Sequence, residues 1–121
     1  QMCIRDRLNA IQKIASKESC LIIGRCADYA LRDFNNVVNI YITAPLEDRI
    51  NRAINAYGIG EKHAAEYVKR MDKQRISYYN YYTDKRWGVP ENYELCLDSS
   101  ALGIEGSVDL LEDFIKKYFK E

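Results

Sequence analysis

The sequence predicts an α/β domain with a parallel sheet flanked by helices, and three observations carry that reading. Short apolar runs at residues 20–23, 37–42 and 93–98 alternate with longer segments whose apolar residues recur at helical spacing. The first run, Cys20-Leu21-Ile22-Ile23, is continuously apolar, as in strands covered on both faces. Each run is closed by residues that stop a strand or start a helix: Gly24, Thr43-Ala44-Pro45 and Ser99-Ser100.

Taken in order, Leu8, Ile11, Ile14 and Ala15 share one face of a helix predicted over 8–17, and Glu18-Ser19 ends the pattern. A strand over 20–23 is followed by a short helical piece over 27–33 and a second strand over 37–42. Thr43 can cap and Pro45 can occupy a first helical turn, so residues 46–57 should be a helix with Leu46, Ile50, Ala53 and Ile54 on one face. Gly58-Ile59-Gly60 interrupts it. A long charged helix should then run from Glu61 towards Tyr82, carrying Ala64, Tyr67, Val68, Met71 and Ile76. After a loop at Trp87-Gly88-Val89-Pro90 comes a third strand over 93–98. A last helix over 105–118 has Val108, Leu111, Phe114, Ile115 and Tyr118 in a stripe, with lysines where the helix dipole favours them.

The 121 residues hold 18 Lys plus Arg against 18 Asp plus Glu, with 47% hydrophobic and 30% charged side chains. That balance fits one domain-sized globular unit and argues against a broadly basic nucleic-acid binder or an acidic tail. The neutrality is an average, because residues 69–86 carry six basic and two acidic side chains and residues 87–121 three and eight. Cys3, Cys20, Cys26 and Cys96 form no CxxC pair and have only His63 as a histidine companion, so no zinc site is predicted. Unpaired cysteines in apolar runs point to a reducing, cytoplasmic setting, and no stretch approaches the roughly 20 apolar residues of a membrane span. Residues 1–7, mixed in charge and starting Gln1-Met2, read as a non-native lead-in.

Ligands of open parallel sheets gather at the carboxyl ends of the strands, which are Gly24-Arg25, Thr43-Ala44 and Asp98-Ser99-Ser100. Arg25, directly after an apolar strand and a glycine, is placed for an anion. Arg49 and Arg52 either join it or face water. The cationic helix around Arg70, Lys73 and Arg75 suits phosphate, since guanidinium forks match phosphate oxygens, though a solvated helix face would read the same. His63 reads as a surface residue. Some of Tyr78, Tyr79, Tyr81 and Tyr82 should pack the long helix against the sheet while others could stack on a base, with Trp87 anchoring the following loop.

Several segments, in order, resemble the cytidylate kinase-like family, a branch of the P-loop nucleoside monophosphate kinases. They are the run from Cys20 to Tyr29 that includes Gly24-Arg25, Ala44-Pro45-Leu46-Glu47-Asp48-Arg49-Ile50, the segment from Arg70 to Arg75, the tyrosines at 78, 79, 81 and 82, Trp87-Gly88, and the run from Asn92 to Ser100. The resemblance implies transfer of the ATP γ-phosphoryl group to CMP or dCMP with Mg2+. It would place Gly24, Arg25 and Asp28 at the acceptor nucleotide and Ser99, Ser100 and Leu102 near the adenine. Arg70 and Arg75 would close over the phosphates as part of a lid spanning 61–86, with Asp72 positioning an arginine or a substrate hydroxyl. Phosphoryl transfer is mostly positioning and charge stabilisation, for which mobile arginines are suited.

Two features depart from the family pattern. Cys26 stands where the cytidylate kinases proper have an aspartate after the arginine, so the acceptor base is left open. No GxxxxGK[ST] is present among the six glycines. Residues 8–121 therefore look like the C-terminal part of a single kinase-like domain, its first strands missing and its activity lost without the P-loop. In the family sheet the P-loop strand lies between those corresponding to 21–23 and 38–42, so these two should pair directly or leave open edges that favour self-association. The alternative is a non-catalytic module that binds a nucleotide or a single-stranded nucleic acid through the cationic, tyrosine-rich segment; neutral overall charge makes nucleic acid the weaker choice.

Overall fold

A computed structural model describes residues 3–120. The chain runs through α1 (Ile4–Lys17), α2 (Ala27–Ala30), β1 (Ile40–Thr43), α3 (Leu46–Tyr57), α4 (Glu61–Tyr82), a 3₁₀ turn (Pro90–Asn92), β2 (Leu95–Asp98) and α5 (Ser99–Tyr118). The two strands pair in parallel, Ile40 opposite Leu95 and Thr43 opposite Asp98, with α3 and α4 forming the crossover between them. The fold is thus α/β with a parallel sheet and helices, as expected, but the sheet has two strands among the described residues.

Residues 20–23, expected as the first strand, lie outside any helix or strand. Leu21 and Ile23 are 87% and 83% exposed, whereas Ile22 packs against the cluster of Ile11, Ala30 and Leu31. An apolar run records a tendency to be covered, but a strand also needs a neighbour whose backbone groups face it. β1 is paired with β2 and supplies no bond to this segment. Of the two outcomes expected for the segments at 21–23 and 38–42, direct pairing does not occur.

Other boundaries shift for local reasons. α1 begins at Ile4 rather than Leu8, and Arg7 donates a hydrogen bond to the Tyr78 hydroxyl on α4. The last four residues of the expected lead-in are therefore helical, while Gln1 and Met2 lie outside the described residues. β1 starts at Ile40 because Asn39 is held differently. Its N–H donates to the Glu94 carboxylate at 2.6 Å, and its carbonyl accepts from the Glu94 N–H at 2.8 Å. α5 starts six residues before the expected position, since Asp98 caps it by accepting from the Ser100 N–H at 2.9 Å. Gly103, at φ 73° and ψ 179°, then kinks the helix.

The packing is distributed over small contacts. α3 packs against α4, and the buried residues of the two helices include the small Ala53 and Ala64, both almost fully buried, and Val68. Beside the sheet, the Tyr41 ring stands 5.2 Å from Trp87 and 5.0 Å from Tyr93. Gly88 turns this loop at φ 81°, and a Cβ there would lie 3.1 Å from the Tyr41 hydroxyl oxygen. No helix among the described residues is long and apolar enough to cross a membrane.

Gly88→Ala should cost about 1–3 kcal/mol in urea denaturation, because it combines a left-handed backbone with a tight contact. Adding Tyr41→Phe should recover part of that loss, and a cost unchanged by the second substitution would assign it to the backbone alone.

Candidate functional site

The carboxyl end of β1 leads through Ala44 and Pro45 into α3, which sets Arg49 one turn inside the helix. Its Nε donates to the Ala44 carbonyl at 3.0 Å, fixing the guanidinium beside the strand end. Its Nη1 donates to both Asp72 oxygens, at 3.0 Å to Oδ1 and 2.7 Å to Oδ2. Arg75, one turn further along α4, donates from Nη2 to Asp72 Oδ1 at 2.7 Å and lies over Trp87 at 5.6 Å from the ring centroid. These side chains line a cleft of about 260 Å³ with Tyr41, Ile42 and Thr43. Two arginines share one carboxylate, which leaves the cluster with a net positive charge.

Burial alone would raise the Asp72 carboxyl, but the hydrogen bonds and charges of Arg49 and Arg75 outweigh it and hold the group below its usual value. An acid lowered in the folded chain contributes stability that is present above its unfolded value, near 4, and is lost as pH falls through the folded one. Asp72→Asn should therefore reduce stability at pH 7 by no more than about 1 kcal/mol, since the pairs are part-exposed. The gap to wild type should be constant above about pH 5 and narrow as pH falls below about 4. A gap of the same size on both sides of pH 4 in parallel urea titrations would rule out this ionic origin.

Arg70 does not join this cluster. Five positions along an α-helix place two side chains roughly 140° apart, so Arg70 and Arg75 leave α4 on different sides. Arg70 stands 5.7 Å from the Tyr67 ring centroid and, with Lys73, Gln74, Ser77, Tyr78, Tyr81 and Tyr82, lines an open groove of about 580 Å³. Of the tyrosines expected to pack, Tyr79 is buried and Tyr81 is largely exposed.

Gly24, Arg25 and Cys26 follow one another in the left-handed region at φ 66°, 62° and 57°. For the two non-glycine residues this costs on the order of 1 kcal/mol each. Arg25 is exposed, and none of the hydrogen bonds or ion pairs found among the described residues involves it. Cys26 is buried, and burial followed by the nearby Asp28 charge pushes its thiol up to about 11. Asp28 is occupied within the fold: Oδ1 accepts from the Tyr29 N–H at 2.8 Å and Oδ2 from the Tyr79 hydroxyl at 2.5 Å. Burial and then Asp28 raise the Tyr79 hydroxyl far above its ordinary range. The pair thereby ties α2 to α4.

At the end of β2, Ser99 Oγ donates to the Thr43 carbonyl at 3.3 Å, and Ser100 Oγ to Asp98 Oδ1 at 2.6 Å. The Ser100 side-chain and then backbone bonds keep the Asp98 carboxyl below its usual value. Both serines thus hold the end of the sheet and the first turn of α5, while Leu102 is exposed.

The structure brings together Asp72 and Arg75 of the expected site residues and adds Arg49, Tyr41 and Trp87. Arg49 had a signal in the sequence, a position one turn after a strand-Thr-Ala-Pro junction, that Arg52 nearly shares. Arg52 instead reaches Tyr57 at 3.3 Å.

Fold and cleft together define an α/β protein with arginines at the carboxyl end of a parallel strand. The sequence profile of the cytidylate kinase-like family matches residues 3–101, and the chain belongs to that family, which makes it a relative of kinases. It is 28% identical over 115 residues to a protein named uronate isomerase from Corynebacterium glutamicum, an alignment covering 94% of this chain and 21% of that protein. Among solved structures it resembles an uncharacterized protein from Eubacterium ventriosum, with a TM-score of 0.88 and 30% identity over 94% of this chain and 65% of that one. The chain thus spans about a fifth of the first relative's length and just under two thirds of the second's.

With Cys26 buried and Cys3, Cys20 and Cys96 exposed, a thiol reagent at pH 8 should label three cysteines in the folded chain. Cys26 should react only in denaturant. Mass spectrometry of tryptic fragments reads this directly, and rapid Cys26 labelling would contradict the packing of the 24–26 turn.

Proposed function

We propose that this chain is the acceptor and lid portion of a nucleoside monophosphate kinase, acting on CMP- or dCMP-like acceptors with ATP as phosphoryl donor. The observation that carries the proposal is the Arg49–Asp72–Arg75 cluster at the carboxyl end of β1 in a member of the cytidylate kinase-like family. On this reading residues 8–121 are the later part of one P-loop-type domain, 61–86 its lid, and strands outside this sequence supply the phosphate-cradling loop.

Arg25, exposed and without a hydrogen-bond or ion-pair partner among the described residues, would hold the acceptor phosphate beside Gly24. Arg75 would draw towards the transferring group and offset its charge, with Asp72 setting its orientation. Arg70, on the other side of α4, would need the helix to rotate or the substrate to bridge both faces. Leu102 is free for contact with the adenine, whereas Ser99, Ser100 and Asp28 serve first to hold the strand ends and α2. Among the described residues no group of three or more His, Cys, Asp or Glu side chains could hold a metal ion, whereas Mg2+ in such chemistry takes one or two carboxylates together with the nucleotide phosphates. Without the P-loop the 121-residue chain binds but does not turn over.

Calorimetric titration with CMP should show saturable binding that weakens about tenfold or more in Arg25→Gln, the loss of one charge-assisted phosphate contact. Incubation with ATP and CMP should yield no CDP above the level given by Arg75→Gln. Turnover well above that level would refute the inactivity, and absent CMP binding would refute the acceptor site.

One observation favours the second reading, a non-catalytic module for single-stranded nucleic acid: the open groove on α4 with Arg70, Lys73 and the exposed Tyr81. Oligonucleotide binding that falls steeply with salt, together with indifference to CMP, would select it.

A further inference from the structure

Arg49 belongs to the cluster that carries the kinase reading, yet that reading gives it no role of its own. Its guanidinium is fixed twice, by Nε on the Ala44 carbonyl and by Nη1 on Asp72, and its Nη2 makes none of the hydrogen bonds found among the described residues. Asp72 in turn receives three hydrogen bonds, two from Arg49 and one from Arg75. A carboxylate that collects two guanidinium groups in this way presents them with paired oxygens, as a phosphate would.

The three groups are also open to exchange. The side chains of Arg49, Asp72 and Arg75 are 31%, 24% and 49% exposed, so a ligand in the cleft can reach them from solvent. Arg75 is held by Asp72 and by its position over Trp87, with no backbone anchor like that of Arg49. Part-exposed ion pairs of this kind are weak, which makes displacement of the carboxylate by a more highly charged anion inexpensive. With Arg49 anchored to the strand end, the exchange moves Asp72 and Arg75 on α4 towards or away from a fixed cation.

From this geometry we propose that Arg49 is a phosphate-binding residue and that Asp72 is its place-holder, occupying Arg49 and Arg75 until a phosphate group in the cleft displaces it. The proposal rests on the reading of the cleft as a phosphate site. Asp72 keeps both arginine forks oriented in the unliganded chain and competes with the ligand for them. Its removal therefore strengthens anion binding, an outcome opposite to that of deleting a residue with a merely structural role.

The test uses inorganic tripolyphosphate and the full 121-residue chain in isothermal titration. Asp72→Asn should bind about tenfold tighter than wild type, and Arg49→Gln and Arg75→Gln should each bind about tenfold weaker, while Lys117→Gln, which removes a cation on α5 paired with Asp113, should match wild type. A second arm needs no variant at Asp72. At saturation of the wild-type chain, the carboxyl carbon resonance of Asp72 and the Nε–H resonances of Arg49 and Arg75 should shift together with one midpoint.

If Asp72→Asn binds no tighter and the Asp72 resonance does not move, while the two arginine variants still weaken binding, the cleft holds phosphate but the place-holder role is overturned. If Arg49→Gln and Arg75→Gln leave binding unchanged, both the place-holder and the phosphate cleft fall. Should Asp72→Asn not fold, the resonance arm on the wild-type chain decides between these results.

Discussion

The shared carboxylate of Asp72 sets the geometry on which the candidate site depends. Through Arg49 it joins α4 to the residue that follows β1, and through Arg75 it orients a second cation towards the same cleft. Each pair is part-exposed and individually worth little. α3 and α4 also pack on one another, and the buried apolar residues they carry include Ala53 on α3 and Ala64 and Val68 on α4. The Arg49–Asp72 ion pair sets which polar faces of the two helices meet.

The remainder of the chain is less tightly packed than its length leads one to expect. Its buried residues are few and mostly small, while Leu21, Ile23, Ile42, Leu102, Ile104 and Val108 stay exposed. Side chains of that type gain roughly 1.5–3 kcal/mol each when fully buried, so surfaces carrying several of them favour further contacts. Their presence beside a two-stranded sheet fits the proposal that additional strands complete the domain, and it also fits association between copies through open edges.

Much of the fold was legible because it follows from local chemistry. The limits of α3 and α4 are marked by Pro45, by Gly58 in the left-handed region and by the break at Gly60; β2 falls inside its expected apolar run, and β1 overlaps its own but ends one residue beyond it, at Thr43. Residues 20–23 could not be read this way, because their strand character depends on a neighbour that no local pattern encodes. The early start of α5 was hidden by Gly103, which looks like a helix break and acts as a kink inside one. In the site, Arg75 and Asp72 were expected from the resemblance of the 70–75 segment to a family lid, but Arg49 meets them only through the α3–α4 crossover. Arg70 was grouped with Arg75 by sequence proximity, and helical phase separates them. Asp28 looked available because its partner Tyr79 is 51 residues away, beyond any motif.

The most direct measurement is a double-mutant cycle between Arg49→Gln and Asp72→Asn, read by urea denaturation at pH 7 and low salt. If the carboxylate joins α4 to the end of β1 as described, the two substitutions should be non-additive, with a coupling of about 0.5 kcal/mol or more that shrinks at high salt. Strict additivity at low salt would show that the two side chains do not act on one another, and the cleft would lose the interaction that defines it.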